Sequence, residues 1–596
     1  MNKYHIKAQS GKDTNRKSME DIIKLPKTTG DSSYSSPVNI ILLATTAILI
    51  IAVIILSSVP PVSRDALTHH LAVPKLYLTH GGIYEIPSLI FSYYPMNLEL
   101  LYLIPLYLGN DIVPKYIHFF FGLLTALLIF KYLKNRINKV YAVFGALFFL
   151  SIPVIIKLST TVYVDLGLIF FSTASIIFLF KWIESDYSLK HLATSGVFCG
   201  LCLGTKYNAI VVFFLLTMIV IFAYIRTPRK IETRNESAKS AKALSSGLVF
   251  IIISLLLFSP WMIRNYIWTK NPVYPLYQNF FNNINTKPEP ISFGADNNNN
   301  LLGKEKNNNG NKEWGHFAIR RIIYHESLLK IILIPVRIFF EGEDGDPIHF
   351  DGKLSPFLFI LPFFAFIHFK KDDRLLKTEK IILLCFSLLY ILFAFVKIDM
   401  RIRYIAPVIP PLVVLSVMGL HNIFLLLNTR FSQFSGRIHQ YCLLAFFAVV
   451  ISNNFIYLIK QFDYVKPFEY LSGNVGRDEY IEKYRPEYAV FKYANKNLAP
   501  DAKILCLFLG NRLYYSDRDV IFGETVFINS VKGKDSIISD LNNKGITHLI
   551  IWYNYFDKWA NNNFNDKEGV LLKIFLRENT TLIFSKGEYG LFELKP

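Results

Sequence analysis

The segment SRDALTHHLAVPKLYLTHGGIYEIPSLIFSYYPMNLE, residues 63–99, places charged residues and two adjacent histidines directly after the first strongly apolar run of the chain. That run, VNIILLATTAILIIAVIILS (residues 38–57), has the length of about 20 residues that an α-helix needs to cross a bilayer. Ionisable groups are unfavourable in lipid, so a polar cluster beside a membrane span indicates an aqueous site at the membrane surface. The fold prediction works outward from these two segments.

Apolar runs of spanning length recur along most of the chain. Of the 596 residues, 52% are hydrophobic and 15% are aromatic. This pattern predicts an α-helical polytopic membrane protein with about 11 spans. The predicted spans are 39–58, 113–131, 139–157, 164–182, 190–204, 207–225, 244–262, 355–370, 380–397, 404–427 and 441–459. Two further apolar stretches, 94–108 and 327–340, are predicted to lie along the membrane as interfacial or re-entrant helices.

The net charge of +19 comes largely from basic clusters between apolar runs. Such clusters mark cytoplasmic loops in membrane proteins, so they indicate topology rather than nucleic-acid binding. The clusters are the N-terminal tail, Lys134 with Arg136 and Lys139, Arg226 with Arg229, Lys230 and Arg234, and Lys370 with Lys371, Arg374 and Lys377. With the N-terminus in the cytoplasm, the segment 63–99 falls on the outer side.

Three regions are predicted. Residues 1–37 form a basic cytoplasmic tail, and residues 38–460 form the membrane core with outer loops at 60–112 and 264–355. Residues 461–596 form an extracytoplasmic α/β domain, because the apolar runs there shorten to strand length and alternate with a helical pattern. The predicted elements are strands Lys503–Leu509, His548–Trp552, Thr581–Phe584 and Gly590–Leu594 and helix Ser536–Asn543. Low-complexity residues 296–312 are assigned no chemistry.

Within the first outer loop, Ser63 is predicted to cap a helix that Pro74 kinks or divides. Leu67, Leu71, Pro74 and Leu78 would share its apolar face, with Asp65 and His69 on the opposite face. Asp65 is interpreted either as a helix-terminal acid favoured by the helix dipole or as a functional carboxylate. His69 and His70 lack a third metal ligand at suitable spacing, which favours a lining role for both.

Charged residues at the outer ends of later spans suggest a ligand. Asp165, at the start of a span, faces the same side as Asp65, and two carboxylates there could act as a base and a cation anchor. Cations on the predicted outer side depart from the rule that basic residues cluster in cytoplasmic loops. They could bind a phosphate. Alternatively, their side chains extend to the membrane interface to reach water. These cations are Lys157, Lys206, Arg264, Arg337, Arg401 and Arg403.

Two further patterns receive a structural interpretation. The acidic run EGEDGDPIHFDG (residues 341–352) is predicted to be a polar lid, with divalent-cation binding as the alternative. Cys199 and Cys202 form a C-x-x-C inside an apolar run without a second pair, which favours packing over redox or metal chemistry.

A set of ordered motifs resembles the GT-C superfamily of membrane glycosyltransferases. The motifs are RDALTHHLAVPKLYL, YYPMNLELLY, YVDLGLIFF, GLCLGTKYNAI, RNYIWTKNPVYP and RYIAPVIPPL, within residues 40–430. The chain looks most like bacterial relatives of the dolichyl-phosphate-mannose protein mannosyltransferases and of the aminoarabinose lipid A transferase. The C-terminal domain matches only in position and coarse type.

The resemblance implies inverting transfer of a sugar from a polyprenyl-phosphate carrier to a lipid, glycan or protein acceptor on the outer face of a bacterial-type plasma membrane. Asp65 matches the general base, and Asp165 matches an acid that shapes the donor site. Many relatives have paired Asp-Glu in the first loop, whereas Arg64 and Ala66 flank Asp65 here. This departure favours a single base, and a divalent cation, if used, would lie at Asp65 and Asp165. The remaining implied donor-binding residues are Glu99, His69, His70, Lys75, Lys206, Arg264, Arg401, Arg403 and Tyr404.

Other classes of membrane protein share parts of this pattern. A transporter or flippase of a lipid-linked or anionic substrate also carries charged residues in its spans, but nearer the midplane and often within inverted repeats. An O-antigen ligase or polymerase uses the same carrier, typically from a large central outer loop. A sensor that signals through the C-terminal domain has the least support.

Overall fold

In a computed structural model, the chain forms a helical membrane core followed by a small domain with a mixed β-sheet. The structure describes residues 37–226, 236–281, 315–398, 400–430, 436–533 and 536–595. The predicted basic tail up to residue 36, the cations Arg229, Lys230 and Arg234, and the low-complexity stretch 296–312 lie outside the described residues.

The described part of the core consists mainly of helices. The helices are α1 (Pro37–Ser57), α2 (Ala72–His80), α3 (Asn97–Tyr107), α4 (Val113–Arg136), α5 (Lys139–Ser151), α6 (Pro153–Ser159), α7 (Asp165–Glu184), α8 (Leu189–Leu203), α9 (Ala209–Arg226), α10 (Glu236–Thr269), α11 (Gln278–Phe281), α12 (His316–Ala318), α13 (Leu328–Ile332), α14 (Ile334–Arg337), α15 (Phe357–Phe364), α16 (Arg374–Lys397), α17 (Ile409–Arg430) and α18 (Gly436–Val465). The π-helical turns are Ala66–His70 and Ile319–Ile323, and the 3₁₀ turns are Ile90–Tyr93 and Ile402–Val408.

Each of the eleven predicted spans coincides with a helix, but not every helix is long enough to cross a membrane. Among the described residues, eight helices have the required length and apolarity, and the bent pair α5–α6 gives a ninth if it counts as one span. The bend of 67° lies where Pro153, which lacks a backbone N–H, follows Ile152 in an extended conformation. Helices α8 and α15, with 15 and 8 residues, are too short, so the count of eleven is not confirmed.

The two stretches predicted to lie along the membrane form short helices. Residues 94–108 contain α3, which has 11 residues, and residues 327–340 contain α13 and α14, with 5 and 4 residues. None of them has the length of about 20 residues that a span requires. Cys199 and Cys202 are buried in α8, as the packing interpretation predicted.

Gly419 allows α17 to approach the backbone of α15. A β-carbon at this position would clash with the carbonyl oxygen of Leu361. We expect Gly419→Ala to lower the free energy of unfolding by about 1–3 kcal/mol, because a main-chain atom cannot move aside as a side chain can. Thermal unfolding of the purified chain measures the effect.

Gly569 in the C-terminal domain provides the matched control for Gly419. A β-carbon there would have no neighbour within 4 Å, so Gly569→Ala is expected to stabilise its helix by up to about 1 kcal/mol. Equal melting temperatures for Gly419→Ala and the wild-type chain would contradict the close approach of α15 and α17.

The C-terminal domain has a five-stranded sheet in the order β2-β1-β3-β5-β4. Strand β1 pairs in parallel with β2 and β3, whereas β5 pairs antiparallel with β3 and β4. The strands are β1 (Lys503–Leu507), β2 (Asp519–Phe522), β3 (His548–Trp552), β4 (Thr580–Lys586) and β5 (Tyr589–Leu594). The helices of this part are α19 (Pro467–Leu471), α20 (Arg477–Tyr484), α21 (Tyr488–Asn497), α22 (Glu524–Lys532), α23 (Ile537–Asn543), α24 (Tyr553–Asn563) and α25 (Asp566–Glu578).

The predicted α/β class of this domain agrees with the structure, but one strand and most of the helices were not predicted, and several strand ends differ. The four-residue strand β2 was absent from the prediction, because so short a run carries little periodicity. Strand β1 ends at Leu507 instead of Leu509, because Phe508 has a φ of 69°, which extended strands do not adopt.

The C-terminal domain contacts the first outer loop directly. The Tyr515 hydroxyl donates to the carbonyl of Pro61 at 2.8 Å, and the Tyr514 backbone N–H donates to the carbonyl of Leu67 at 3.0 Å. Lys75 donates to the carbonyl of Tyr514 at 2.9 Å and pairs with Asp517 at 2.7 Å. The domain therefore packs against the segment that carries Asp65.

Candidate active site at one end of the spanning helices

The loop that carries Asp65 begins as predicted and then departs from a regular helix. The helical path starts after Ser63, whose carbonyl accepts from the Leu67 N–H at 3.2 Å, and it continues as the π-helical turn Ala66–His70. Asp65 directly precedes this turn, and its side chain makes no capping hydrogen bond. The helical path breaks at Leu71, which places Pro74 in the first turn of α2. Backbone N–H groups have no intrahelical partner in a first turn, so proline is tolerated there.

Asp65 forms an ion pair with Arg403. The Arg403 Nη1 donates to the Asp65 carboxylate at 2.5 Å, and the side chain of Asp65 remains 24% exposed. Burial opposes ionisation of Asp65, but the charge and hydrogen bond of Arg403 outweigh burial and hold the pKa of Asp65 below its ordinary value. Asp65 is therefore an ionised, partly accessible carboxylate, and its charge is not used to cap a helix.

Asp165 forms a second ion pair, with Lys206. Asp165 is the first residue of α7 and is 1% exposed, and Lys206 lies in the turn between α8 and α9. Lys206 Nζ is 2.7 Å from Asp165 Oδ1. The other carboxylate oxygen, Oδ2, is buried and has no hydrogen-bond partner in the described part of the chain.

Two tyrosines connect the ion pairs. The ring centroid of Tyr404 lies 5.3 Å from the Arg403 guanidinium and 5.7 Å from Lys206 Nζ. Tyr163, two residues before Asp165, has its ring centroid 5.4 Å from the same guanidinium. The two pairs therefore belong to one site, with aromatic faces against the cations.

Glu99 and His70 lie buried beside this site. His70 Nδ1 is 2.9 Å from Glu99 Oε1, and the second oxygen of Glu99 has no partner among the described residues. Burial raises the pKa of Glu99 to about 8 and lowers the pKa of His70 to about 3. Near pH 7 the couple is therefore neutral and shares a proton through a hydrogen bond rather than forming an ion pair.

His69 packs against an aromatic ring. It stacks on Phe91 with a centroid separation of 4.4 Å, and burial, with the charge of His70 next, holds its pKa well below the ordinary value. Its Nδ1 is buried and has no described hydrogen-bond partner. These contacts place both histidines in the lining of the site.

We expect Glu99→Gln to remove the loss of stability that deprotonation of Glu99 contributes between about pH 5 and pH 8. The folded-state pKa of Glu99, about 8, lies above its ordinary value of 4.5. Protonated Glu99 therefore stabilises the folded state fully at pH values below its ordinary pKa. This stabilisation is lost as the pH rises through about 8. Melting temperatures measured across this range test the prediction.

Glu578, an exposed carboxylate on α25, provides the control for Glu99. Glu578→Gln is expected to leave the pH profile unchanged. Parallel profiles for Glu99→Gln and the wild-type chain would show that Glu99 does not titrate in this range.

Arg264 lies near the end of α10 between two tryptophans. Its guanidinium is 4.6 Å from the ring centroid of Trp261 and 4.9 Å from that of Trp268. Nη2 donates to the carbonyl of Tyr94 at 3.0 Å, whereas Nη1 is buried without a partner in the described ranges. The aromatic rings fix the cation, and one donor remains for a ligand.

The acidic run 341–352 contacts the site from the side of Arg401. Asp351 lies 3.8 Å from Arg401 and 3.5 Å from Lys157, which also pairs with Asp344 at 3.2 Å. Arg337, another predicted outer cation, pairs instead with Glu326 and Glu341. Lys75 likewise lies outside the site that contains Asp65 and Asp165, because it binds the Tyr514–Asp517 loop of the C-terminal domain.

In this structure the positive partners of Asp65 and Asp165 are basic side chains. Each carboxylate is already paired with its own cation, at 2.5 and 2.7 Å. Within the described residues, the group of three side chains whose ligand atoms all lie within 4.8 Å of one another is Glu343, Asp346 and His349, in the acidic run.

Known structures share this architecture. The crystal structure of ArnT from Cupriavidus metallidurans bound to undecaprenyl phosphate superposes with a TM-score of 0.54 and 11% identity, covering 93% of this chain and 97% of ArnT. Its apo state gives the same TM-score with 12% identity and the same coverage. The chain therefore has the ArnT-like GT-C fold.

Further comparisons agree with this fold. The Archaeoglobus fulgidus oligosaccharyltransferase, tethered to an acceptor peptide with an NVT sequon, superposes with a TM-score of 0.51 and 10% identity, covering 86% of this chain and 69% of that chain. Residues 109–263 match the family model of dolichyl-phosphate-mannose-protein mannosyltransferase. No curated protein sequence matches the chain. The resemblance that the motifs predicted is therefore confirmed, and the family match includes Asp165 and Lys206 but not Asp65.

Several residues at the site were not predicted as functional. Tyr163 lies in YVDLGLIFF, where Asp165 carries the prediction, and Asp351 lies in the acidic run 341–352, which was predicted to be a lid. Arg485 and Arg512 of the C-terminal domain approach the first outer loop only through the tertiary fold, and no spacing or composition signal marks them.

Proposed function

We propose that the chain is a glycosyltransferase that moves a sugar from a polyprenyl-phosphate carrier to an acceptor, with Asp65 as the general base. The observation that carries the proposal is that the Asp65–Arg403 and Asp165–Lys206 pairs meet at one site with unused polar atoms. The GT-C fold supports the reaction class, and ArnT, which shares the fold, was crystallised with undecaprenyl phosphate.

In the proposed reaction, the acceptor oxygen attacks the anomeric carbon of the sugar from the face opposite the carrier. A bond forms between these two atoms, the bond from the anomeric carbon to the phosphate oxygen breaks, and its electron pair stays with the carrier phosphate. The proton of the acceptor hydroxyl moves to Asp65. The configuration at the anomeric carbon is inverted.

The cations of the site would stabilise the departing phosphate. Lys206, Arg264 and Arg403 have fixed positions, and the Nη1 of Arg264 and the Nε of Arg403 are buried donors without a described partner. Preorganised donors stabilise developing negative charge without reorganisation at the moment of reaction. These three residues are therefore proposed as the binding site for the carrier phosphate.

Arg403 would also tune the base. In the free protein it keeps the pKa of Asp65 low, which makes the carboxylate a weak base. A carrier phosphate on the same guanidinium would compete for its charge and raise the pKa of Asp65. Donor binding would thus strengthen the base only when the sugar is in place. Arginine and lysine, rather than a divalent cation, are proposed as the positive partners of both carboxylates.

The length of the helices supports a position at one membrane surface. Helices α4 and α7 both begin at the site side, where His118 Nε2 accepts from the Leu166 N–H at 2.9 Å. Their other ends meet through Arg136 and Glu184 at 3.5 Å. Twenty helical residues span about 30 Å, the thickness of the hydrocarbon core. Because Arg136 belongs to a predicted cytoplasmic loop, the site is proposed to face the outer side, with the C-terminal domain.

We expect Arg264→Gln to weaken the binding of undecaprenyl phosphate by at least about tenfold, the loss expected when a charged hydrogen bond is removed. Binding of the radiolabelled lipid to the purified full chain measures this change. Arg226→Gln is the matched control, because Arg226 is an exposed arginine at the far end of the neighbouring helix α9. Equal affinity of both variants would place the carrier elsewhere.

The reaction class is tested with glycosylated polyprenyl phosphate lipids extracted from cells that lack the chain. The purified chain, incubated with these lipids and with membranes as acceptor, is expected to release free polyprenyl phosphate. Movement of intact glycolipid across vesicles without release would identify a transporter instead.

A further inference from the structure

Four arginines meet where the C-terminal domain packs on the first outer loop. Arg64 precedes Asp65, and Arg401 lies two residues before Arg403. Arg485, at the end of α20, donates from Nε to the carbonyl of Val62 at 2.6 Å. Arg512 donates from Nε to the buried carboxylate of Glu487 at 2.5 Å. The cluster therefore combines residues from the membrane core and from the C-terminal domain beside the proposed base.

The guanidinium groups are close enough to repel one another. Burial lowers the pKa of Arg64, and the positive charges of Arg512, Arg401 and Arg485 lower it further against the opposing charge of Asp65. Burial and then the charge of Arg512 likewise lower the pKa of Arg485. The contacts of Arg485 with Val62 and of Arg512 with Glu487 hold these like charges together in the free protein.

Arg485 and Arg512 each retain terminal guanidinium donors that a ligand can use. Each uses its Nε for a fixed partner, and their Nη groups have no hydrogen-bond partner among the described residues. The Arg512 side chain is 15% exposed, and Arg485 is half-buried, so solvent reaches both. The planar fork of an arginine matches two oxygens of a phosphate, which a lysine cannot do.

The cluster consists of residues that the proposed carrier site does not use, and it adjoins that site, because Arg401 lies two residues before Arg403. The charges of Lys206, Asp165 and Arg264 act on Glu99, whereas the charges of Arg401, Arg485 and Arg512 act on Arg64. Asp65 adjoins both sets, through Arg64 in the chain and through the ion pair with Arg403. Since Asp65 must touch the acceptor hydroxyl, a ligand at the cluster would lie on the acceptor side of the base.

We propose that Arg64, Arg485 and Arg512, with Arg401, form a second anion-binding site, which holds a phosphate group of the acceptor. This inference rests on the proposed function and assigns the C-terminal domain a part in selecting the acceptor. A bound phosphate would relieve the mutual repulsion of the arginines and would place the acceptor hydroxyl at Asp65.

The test uses inorganic pyrophosphate as the probe and the purified full chain saturated with undecaprenyl phosphate. Calorimetric titration is expected to show pyrophosphate binding under these conditions, and Arg485→Lys and Arg64→Gln are each expected to weaken it by about tenfold. Arg577→Gln, which removes a 78% exposed arginine of the same domain, is expected to bind as the wild type does. Loss of pyrophosphate binding on saturation with undecaprenyl phosphate would overturn the second site, as would equal binding by all variants.

Arg512 also balances the charge of buried Glu487, so its test needs a compensated variant. Arg512→Gln/Glu487→Gln removes both charges, and retained binding of undecaprenyl phosphate shows that the variant is folded. This double variant is expected to weaken pyrophosphate binding by about tenfold. Wild-type affinity for pyrophosphate in the folded double variant would exclude Arg512 from the site.

Two soluble phosphate monoesters distinguish the source of the acceptor phosphate. Tighter binding of dihexanoyl phosphatidic acid than of glycerol 3-phosphate supports the site with a lipid acceptor, and equal binding supports it with a soluble or glycan acceptor. Binding of neither overturns the proposal. Failure of the proposed function can be distinguished from failure of the second anion site. Normal sugar transfer by an Asp65 variant would exclude Asp65 as the base, whereas pyrophosphate binding to that variant would remain intact.

Discussion

Replacing Asp65 with asparagine is expected to lower the turnover number of sugar transfer by about 10²–10⁴-fold, the range that general-base catalysis contributes. Asparagine keeps the size of the side chain and can still accept a hydrogen bond from Arg403, but it cannot take a proton from the acceptor. Undecaprenyl phosphate binding should therefore persist while transfer fails. The measurement is release of polyprenyl phosphate from glycosylated carrier under single-turnover conditions.

Asp517 supplies the matched control for Asp65. It is another partly exposed carboxylate at the contact between the first loop and the C-terminal domain, and it pairs with Lys75 at 2.7 Å. Asp517→Asn is expected to transfer sugar at close to the wild-type rate. Sugar transfer by Asp65→Asn at the rate of the Asp517→Asn control would rule out Asp65 as the base. The ion pair of Asp65 with Arg403 would then have only a structural role.

The common location of Asp65 and Asp165 at one end of the helical core could be predicted, because it depends on local properties. The length of each apolar run predicts a span, and the basic clusters predict which loops lie on the cytoplasmic side. Errors of span length at α8 and α15 do not affect the predicted position of either acid, because both helices follow Asp165 in the chain. The common location of the two acids thus follows from patterns within windows of about 20 residues.

The pairing of charges within the site could not be predicted in the same way. Asp65 and Arg403 are 338 residues apart, and Lys75 and Asp517 are 442 apart. Sequence patterns place all four on the outer side, but only packing selects which cation each carboxylate meets. Lys75 was therefore predicted at the donor site, whereas it binds the C-terminal domain.

The local structure of the first loop depends on the same long-range contacts. Ser63 and the spacing of Leu67, Leu71 and Pro74 predict a regular capped helix. In the structure the C-terminal domain binds the carbonyls of Val62 and Leu67, and a π-helical turn places Asp65 against Arg403 instead. Tertiary hydrogen bonds have overridden local helix propensity here.

Removing the cation of the second pair is expected to affect stability as well as activity. Lys206→Met leaves the Asp165 carboxylate buried without its charged partner, and breaking a buried pair from one side typically destabilises by about 3–5 kcal/mol. One oxygen of Asp165 already lacks a described partner, so the structure offers little compensation. A large fall in the melting temperature of the purified chain is the expected result.

The double variant Asp165→Asn/Lys206→Met separates structure from function. Removing both charges also removes the uncompensated buried carboxylate, so most of the lost stability should return. Sugar transfer should not return, because the proposed carrier phosphate would still lack Lys206. Recovery of both stability and transfer would mean that the Asp165–Lys206 pair only holds α7 against the turn between α8 and α9. Recovery of stability alone would mean that its charges serve the donor, since the fold tolerates their absence and the reaction does not.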